Sequence, residues 1–243
     1  MTRLLSGILS RIAQLEPAPP WSLLSAINAV IIGYFGLFVG TLAAYTWLNN
    51  RPQTSLLGWA FGGVCMMLFV LTTRRQPNER VALRLDRPVQ SLALALLLSV
   101  GMAILLDVLS LSVTGSFLPL PELLNVRGYD VLSWILAVAF MVVVQPVAEE
   151  MLFRGIAFAS FRVTFGAWGG LVLCAIAYAL FHLLAYSAAP LDLSVWWYTL
   201  LLPLLAGLYF SAVRAYTGST RAAIVAHMAF GVFALLKALT VIR

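Results

Sequence analysis

Three carboxylates and both histidines of this 243-residue chain fall inside long apolar runs: Asp107, Glu149, Glu150, His182 and His227. A carboxylate charged at the centre of a membrane helix costs about 2.5 to 3.5 kcal/mol on insertion scales, so each needs a partner or a task. Imidazole titrates near neutrality and serves as acid, base, hydrogen-bond donor or metal ligand. A carboxylate stripped of water is a stronger base toward a water molecule attacking a peptide carbonyl. These residue types therefore point to acid–base hydrolysis or to a metal site.

Spacing narrows the pairs. Glu150 and Arg154 stand four apart on one helix face and can neutralise each other. Glu149 is turned about 100° away without an intrahelical partner, so it must face water, a histidine or another helix. A hairpin turning at Phe165-Gly166-Ala167 lies midway between positions 149 and 182. Both residues then sit roughly 25 Å from the turn along their helices, and Glu149 is expected to meet His182. His227 lies nine positions beyond Gly218, the expected start of the last hairpin. It is expected to reach the same pair through tilt or offset. Asp107 has no motif around it and is expected to cap or pack.

The elements that must position these groups are membrane helices. With 62% hydrophobic and 10% charged residues and a mean hydropathy of +0.98, the chain cannot present the charged surface of a soluble globule. Apolar runs at 23–48, 56–73, 91–114, 131–161, 168–186, 195–213 and 222–241 give seven candidate spans at about 20 residues each. The runs are continuous rather than alternating, which excludes a closed barrel. The expected architecture is an all-α polytopic bundle: one transmembrane domain at 21–243, preceded by an amphipathic interfacial segment at 1–20. Leu4, Leu5, Ile8, Ile12 and Leu15 form the apolar face of that segment, and Pro17, Pro19 and Pro20 end it. The first apolar run is expected to be a retained span, not a cleaved signal. Gly36-x-x-x-Gly40 offers a close helix contact.

The net charge of +6 and pI near 9.7 come from basic residues beside apolar runs, where they answer to headgroups and topology and not to nucleic acid. Eleven of the fifteen fall on one side of the seven-span topology, with Arg74 to Arg87 as the densest cluster. Arg51, Arg127, Lys237 and Arg243 fall on the other. That bias places the N-terminus in the cytoplasm and the C-terminus outside. Trp196, Trp197 and Tyr198 are expected to form an interfacial belt. Cys65 and Cys174 lie within apolar runs and supply neither a disulfide framework nor a metal knuckle.

Three motifs resemble the CPBP intramembrane proteases, the group of type II CAAX prenyl endopeptidases and bacterial bacteriocin-processing or self-immunity proteins. Glu149-Glu150-Met-Leu-Phe-Arg154 is similar to the family's EExxxR, and Tyr178-Ala-Leu-Phe-His182 to its aromatic-xxx-His with Tyr where Phe is usual. His227-Met-Ala-Phe-Gly231 matches half of HxxxN, with Gly231 in place of Asn. The resemblance covers about 131–233. It implies a cavity open to the cytoplasmic side of a bacterial inner membrane, where Glu149 activates water with His182 as partner. Glu150 and Arg154 hold helix geometry and His227 stabilises the oxyanion; either Tyr178 or a backbone N–H replaces the missing Asn, or peptide hydrolysis is weak or absent. It also implies a peptide or membrane-protein substrate among membrane lipids and no cofactor.

A competing mechanism uses Glu149, His182 and His227 as three zinc ligands with an open fourth position, as in a metalloprotease. The absence of an HExxH helix ranks it below metal-free glutamate catalysis. From a different class comes a non-catalytic membrane scaffold or bacteriocin-immunity protein that keeps the Glu–His core for stability. A proton-relaying transporter would need internal repeats and broken helices that the sequence does not show.

Overall fold

The structure is a computed structural model that describes residues 2–49, 51, 53–89, 92–117, 131–186 and 192–241. Arg127, Arg243, Ser91 and the side chains of Arg3 and Leu4 lie outside the described residues. Helix α1 (Thr2–Ala13) precedes α2 (Leu23–Leu48), α3 (Thr54–Thr73), the short α4 (Pro77–Ala82) and α5 (Leu92–Thr114). A continuous rod follows: α6 (Val131–Val138), π1 (Ala139–Val144), α7 (Gln145–Glu150), π2 (Met151–Ala157) and α8 (Phe158–Tyr186). The last elements are α9 (Leu193–Trp196), π3 (Trp197–Leu201), α10 (Leu202–Thr217) and α11 (Thr220–Val241). No strand occurs among the described residues.

Local chemistry sets the ends. Ser22 caps α2 by accepting from the Ser25 N–H at 3.2 Å, and Asp192 caps α9 by accepting from Val195 N–H at 2.8 Å. Gly218 closes α10 in the left-handed region at φ 66°, its N–H bonded to the Arg214 carbonyl. Gly166, at φ 77° and ψ 173°, breaks α8 into two legs and forms the expected hairpin turn. Just past it, a Cβ on Gly170 would overlap the Arg162 backbone, so the legs pack tightly.

Among the described residues, six helical stretches are long and apolar enough to cross a membrane, and the longest, Val131–Tyr186, is the one folded at Gly166. The packing is that of a protein in lipid. Small residues such as Ala26, Ala29, Gly33 and Ser99 lie inside, while Leu24, Phe35, Leu97, Leu98 and Leu105 project outward. The expected glycine contact is present: a Cβ on Gly40 would come within 2.6 Å of the Gly58 carbonyl and Gly62 nitrogen. Glycines on both α2 and α3 let the backbones touch.

One end of the bundle carries most of the charge. Arg214 holds Glu16 with two bonds at 2.5 and 2.7 Å, and Arg84 stands 3.6 Å from the same carboxylate. Arg162 donates to the Ile12 and Gln14 carbonyls, which docks the interfacial segment onto the hairpin. Thr220 N–H bonds to the Arg84 carbonyl, and Ser219 to that of Arg87, fixing the start of α11 at this end.

One feature is added and one expectation changes. The helices carry π turns that regular helical periodicity does not announce. Trp197 is buried and donates to Ser110 Oγ at 2.9 Å, while Tyr198 bonds Thr114 at the same distance. Only Trp196, 40% exposed, faces outward as a belt residue would.

Candidate active site

The site is built on α7, six residues between two π turns. A π turn widens the helix by one residue and frees carbonyls for other donors, and such turns concentrate at functional sites. Here the Trp21 indole N–H takes the Ile156 carbonyl at 3.2 Å, and the Cys174 thiol at 3.4 Å shares the Phe153 carbonyl with the Phe158 N–H.

Glu150 and Arg154 form the expected ion pair at 3.0 Å, both wholly buried. Arg154 also donates to the Gly207 carbonyl at 2.7 Å and lies over the Tyr178 ring at 4.5 Å, tying π2 to α10 and α8. His227 does not reach the Glu149–His182 pair as expected. Its Nδ1 meets Glu150 Oε1 at 3.0 Å, and its ring stacks on Phe210 with centroids 4.7 Å apart. Glu150 thus binds two cationic or donor side chains from different helices, the arrangement that makes a buried carboxylate tolerable.

Glu149 and His182 do meet: His182 Nε2 stands 3.6 Å from Glu149 Oε2. His182 Nδ1–H donates to the Tyr178 carbonyl one turn back at 3.1 Å, leaving Nε2 of the neutral ring an acceptor. Glu149 Oε2 is buried with no hydrogen-bond partner among the described residues. With the ring neutral and the carboxylate ionised, two acceptors face each other, an arrangement that calls for a proton donor.

The other oxygen is held by residues the sequence reading missed. Gln145 Nε2 donates to Glu149 Oε1 at 3.0 Å, and Tyr186 O–H to the same atom at 3.3 Å. Glu149 thus has an intrahelical partner four residues back, contrary to expectation. The signal was available, since Gln145 is a polar side chain inside the same apolar run at i−4.

A cavity of about 250 Å³ adjoins this cluster, lined in part by Gln145, Tyr178, His182, Tyr186, His227 and Gly231. Glu149 does not line it and sits one layer behind Gln145, His182 and Tyr186. Gly231 is where α11 crosses π1: a Cβ there would overlap the Met141 carbonyl oxygen. The backbone of π1 occupies the space that an asparagine side chain would need.

The residues of the expected zinc set address different partners. His182 addresses Glu149 through Nε2 while His227 addresses Glu150 through Nδ1, and no group of three His, Cys, Asp or Glu able to hold a metal occurs among the described residues.

All the site residues fall within 131–233, and that segment matches the family described as type II CAAX prenyl endopeptidase Rce1-like. That similarity spans less than half of the chain and takes in all three motifs. The family is one of proteases, which supports an intramembrane protease in this bundle. No curated protein and no solved structure matches the chain.

Proposed function

We propose that this CPBP-type chain is an intramembrane endopeptidase using Glu149 as general base. The observation that carries this reading is the 3.6 Å approach of Glu149 Oε2 to His182 Nε2, two acceptors beside an apolar cavity. Water entering from the cavity supplies the missing donor. It gives one proton to Glu149 while its oxygen attacks the peptide carbonyl, and His182 accepts from the other O–H and orients it. As the C–N bond breaks, Glu149 returns the proton to the departing amine.

His227, which lines the same cavity, is the donor for the oxyanion. With Nδ1–H donating to Glu150, its Nε2 must also carry a proton to donate to the oxyanion. One such donor is worth about 3 kcal/mol at a developing oxyanion. Gln145 and Tyr186 position Glu149 by fixing its other oxygen, and Glu150 with Arg154 braces the helix. No metal takes part in these steps.

Glu149→Ala and His182→Ala should each abolish cleavage of a native substrate while the protein still folds, and chelator should leave wild-type cleavage unchanged. Full cleavage by Glu149→Ala refutes the base assignment, and loss on chelation restored by zinc refutes the metal-free route. The seclusion of Glu149 and the glycine at 231 favour a second reading, a non-catalytic scaffold or immunity protein. Under it, Glu149→Ala lowers thermal stability but preserves the cellular phenotype.

A further inference from the structure

The cavity has a direction. Beyond the Glu–His cluster its walls include Asp107, Tyr198, Thr199, Phe233 and Lys237, and none of the arginines. Lys237 lies ten residues, roughly 15 Å, past His227 along α11, away from the Thr220 end that is bonded to Arg84. Asp107 lies past the middle of α5 and pairs with Lys237 at 2.5 Å, while Tyr198 bonds Thr114 at the C-terminal end of α5. Toward the arginine end the core is closed: Leu152, Phe153, Arg154, Ile156 and Phe158 are all fully buried. The cavity therefore runs from the catalytic cluster to the end opposite the arginines.

Charge tells the ends apart. Arg11, Arg74, Arg75, Arg80, Arg84, Arg87, Arg162, Arg214 and Arg221 gather at one end, against Arg51 and Lys237 among the described residues at the other. Such a bias retains the arginine-rich end in the cytoplasm. A cytoplasmic opening, as the resemblance implies, and this orientation cannot both hold.

We propose that the active site is reached from the extracytoplasmic face, and that its substrate is a peptide segment exposed on that face and apolar where it enters. The walls fit such a segment, with Leu106, Met141, Leu202, Phe230 and Phe233 along the path and charge confined to the Asp107–Lys237 pair. This rests on the proteolytic reading, so the test measures access and not cleavage.

In a Cys65→Ser background that keeps the fully buried Cys174, single cysteines replace Asn78 at the arginine end, Ser116 at the opposite end and Thr199 in the cavity wall. Intact cells are treated with a small membrane-impermeant thiosulfonate, and remaining thiols are counted by gel shift before and after permeabilisation. Ser116→Cys and Thr199→Cys should be blocked in intact cells, and Asn78→Cys only after permeabilisation. Blocking of Asn78→Cys in intact cells overturns the orientation, and a Thr199→Cys that stays free in intact cells overturns the access route. Adding Glu149→Ala leaves the labelling pattern unchanged, so failure of the protease assignment shows in cleavage alone.

Discussion

Installing the family's asparagine at position 231 should weaken this protein and leave its cleavage no faster. A Cβ on residue 231 would overlap the Met141 carbonyl oxygen and lie 2.9 Å from its carbon. Both atoms are backbone in π1, so no side-chain rotation relieves the contact, and α11 must move away. Overpacking of this kind costs about 1 to 3 kcal/mol. At roughly 2 to 4 °C per kcal/mol for a chain of this size, Tm should fall by about 2 to 12 °C. The shift also draws on His227, one turn earlier, whose bond to Glu150 spans 3.0 Å. Thermal unfolding in detergent and cleavage of a native substrate are measured for Gly231→Ala and Gly231→Asn. Both should lose stability, which assigns the loss to the Cβ and not to the amide. A Gly231→Asn protein with wild-type Tm and faster cleavage refutes the reasoning.

Gln145→Leu removes a bond to a charged acceptor worth about 1.5 to 3 kcal/mol, so kcat should drop roughly 10- to 100-fold with KM little changed; steady-state kinetics showing the reverse split would place Gln145 on the substrate. Glu150→Ala strands Arg154 as a buried unpaired charge and should cost about 3 to 5 kcal/mol, more than Glu149→Ala, in thermal unfolding. Burial alone would raise the Glu16 pKa, but the Arg214 hydrogen bond and charge, with Arg84 and Arg162, hold it below the ordinary 4.5. Its stabilising effect is therefore full above 4.5 and is lost as pH falls through the folded value. The Tm gap between wild type and Glu16→Gln should close on acidification, and a gap that widens contradicts the pairing.

Much of the bundle was legible because lipid imposes simple rules. Span limits at 23–48 and the Gly166 hairpin follow from unbroken apolar runs and turn residues, and the Glu150–Arg154 pair from a spacing of four. The meeting of Glu149 with His182 was legible too, because two legs of one hairpin share a level when their residues are equidistant from the turn. Gln145 was missed although its spacing to Glu149 is as local as that of Arg154, because a neutral amide in an apolar run draws less notice than a charge.

What the sequence determined by itself is the class of protein and the pairs that lie within one helix or one hairpin, where geometry depends only on residue count. Tertiary structure alone decided that His227 belongs to Glu150, that Trp197 is buried, that Gly231 lies against π1, and that the cavity runs away from the arginines. Each depends on how far separate helices slide and rotate against one another. That is set by the summed packing of many side chains and by π turns that alter the helical phase, and no single spacing in the chain records it.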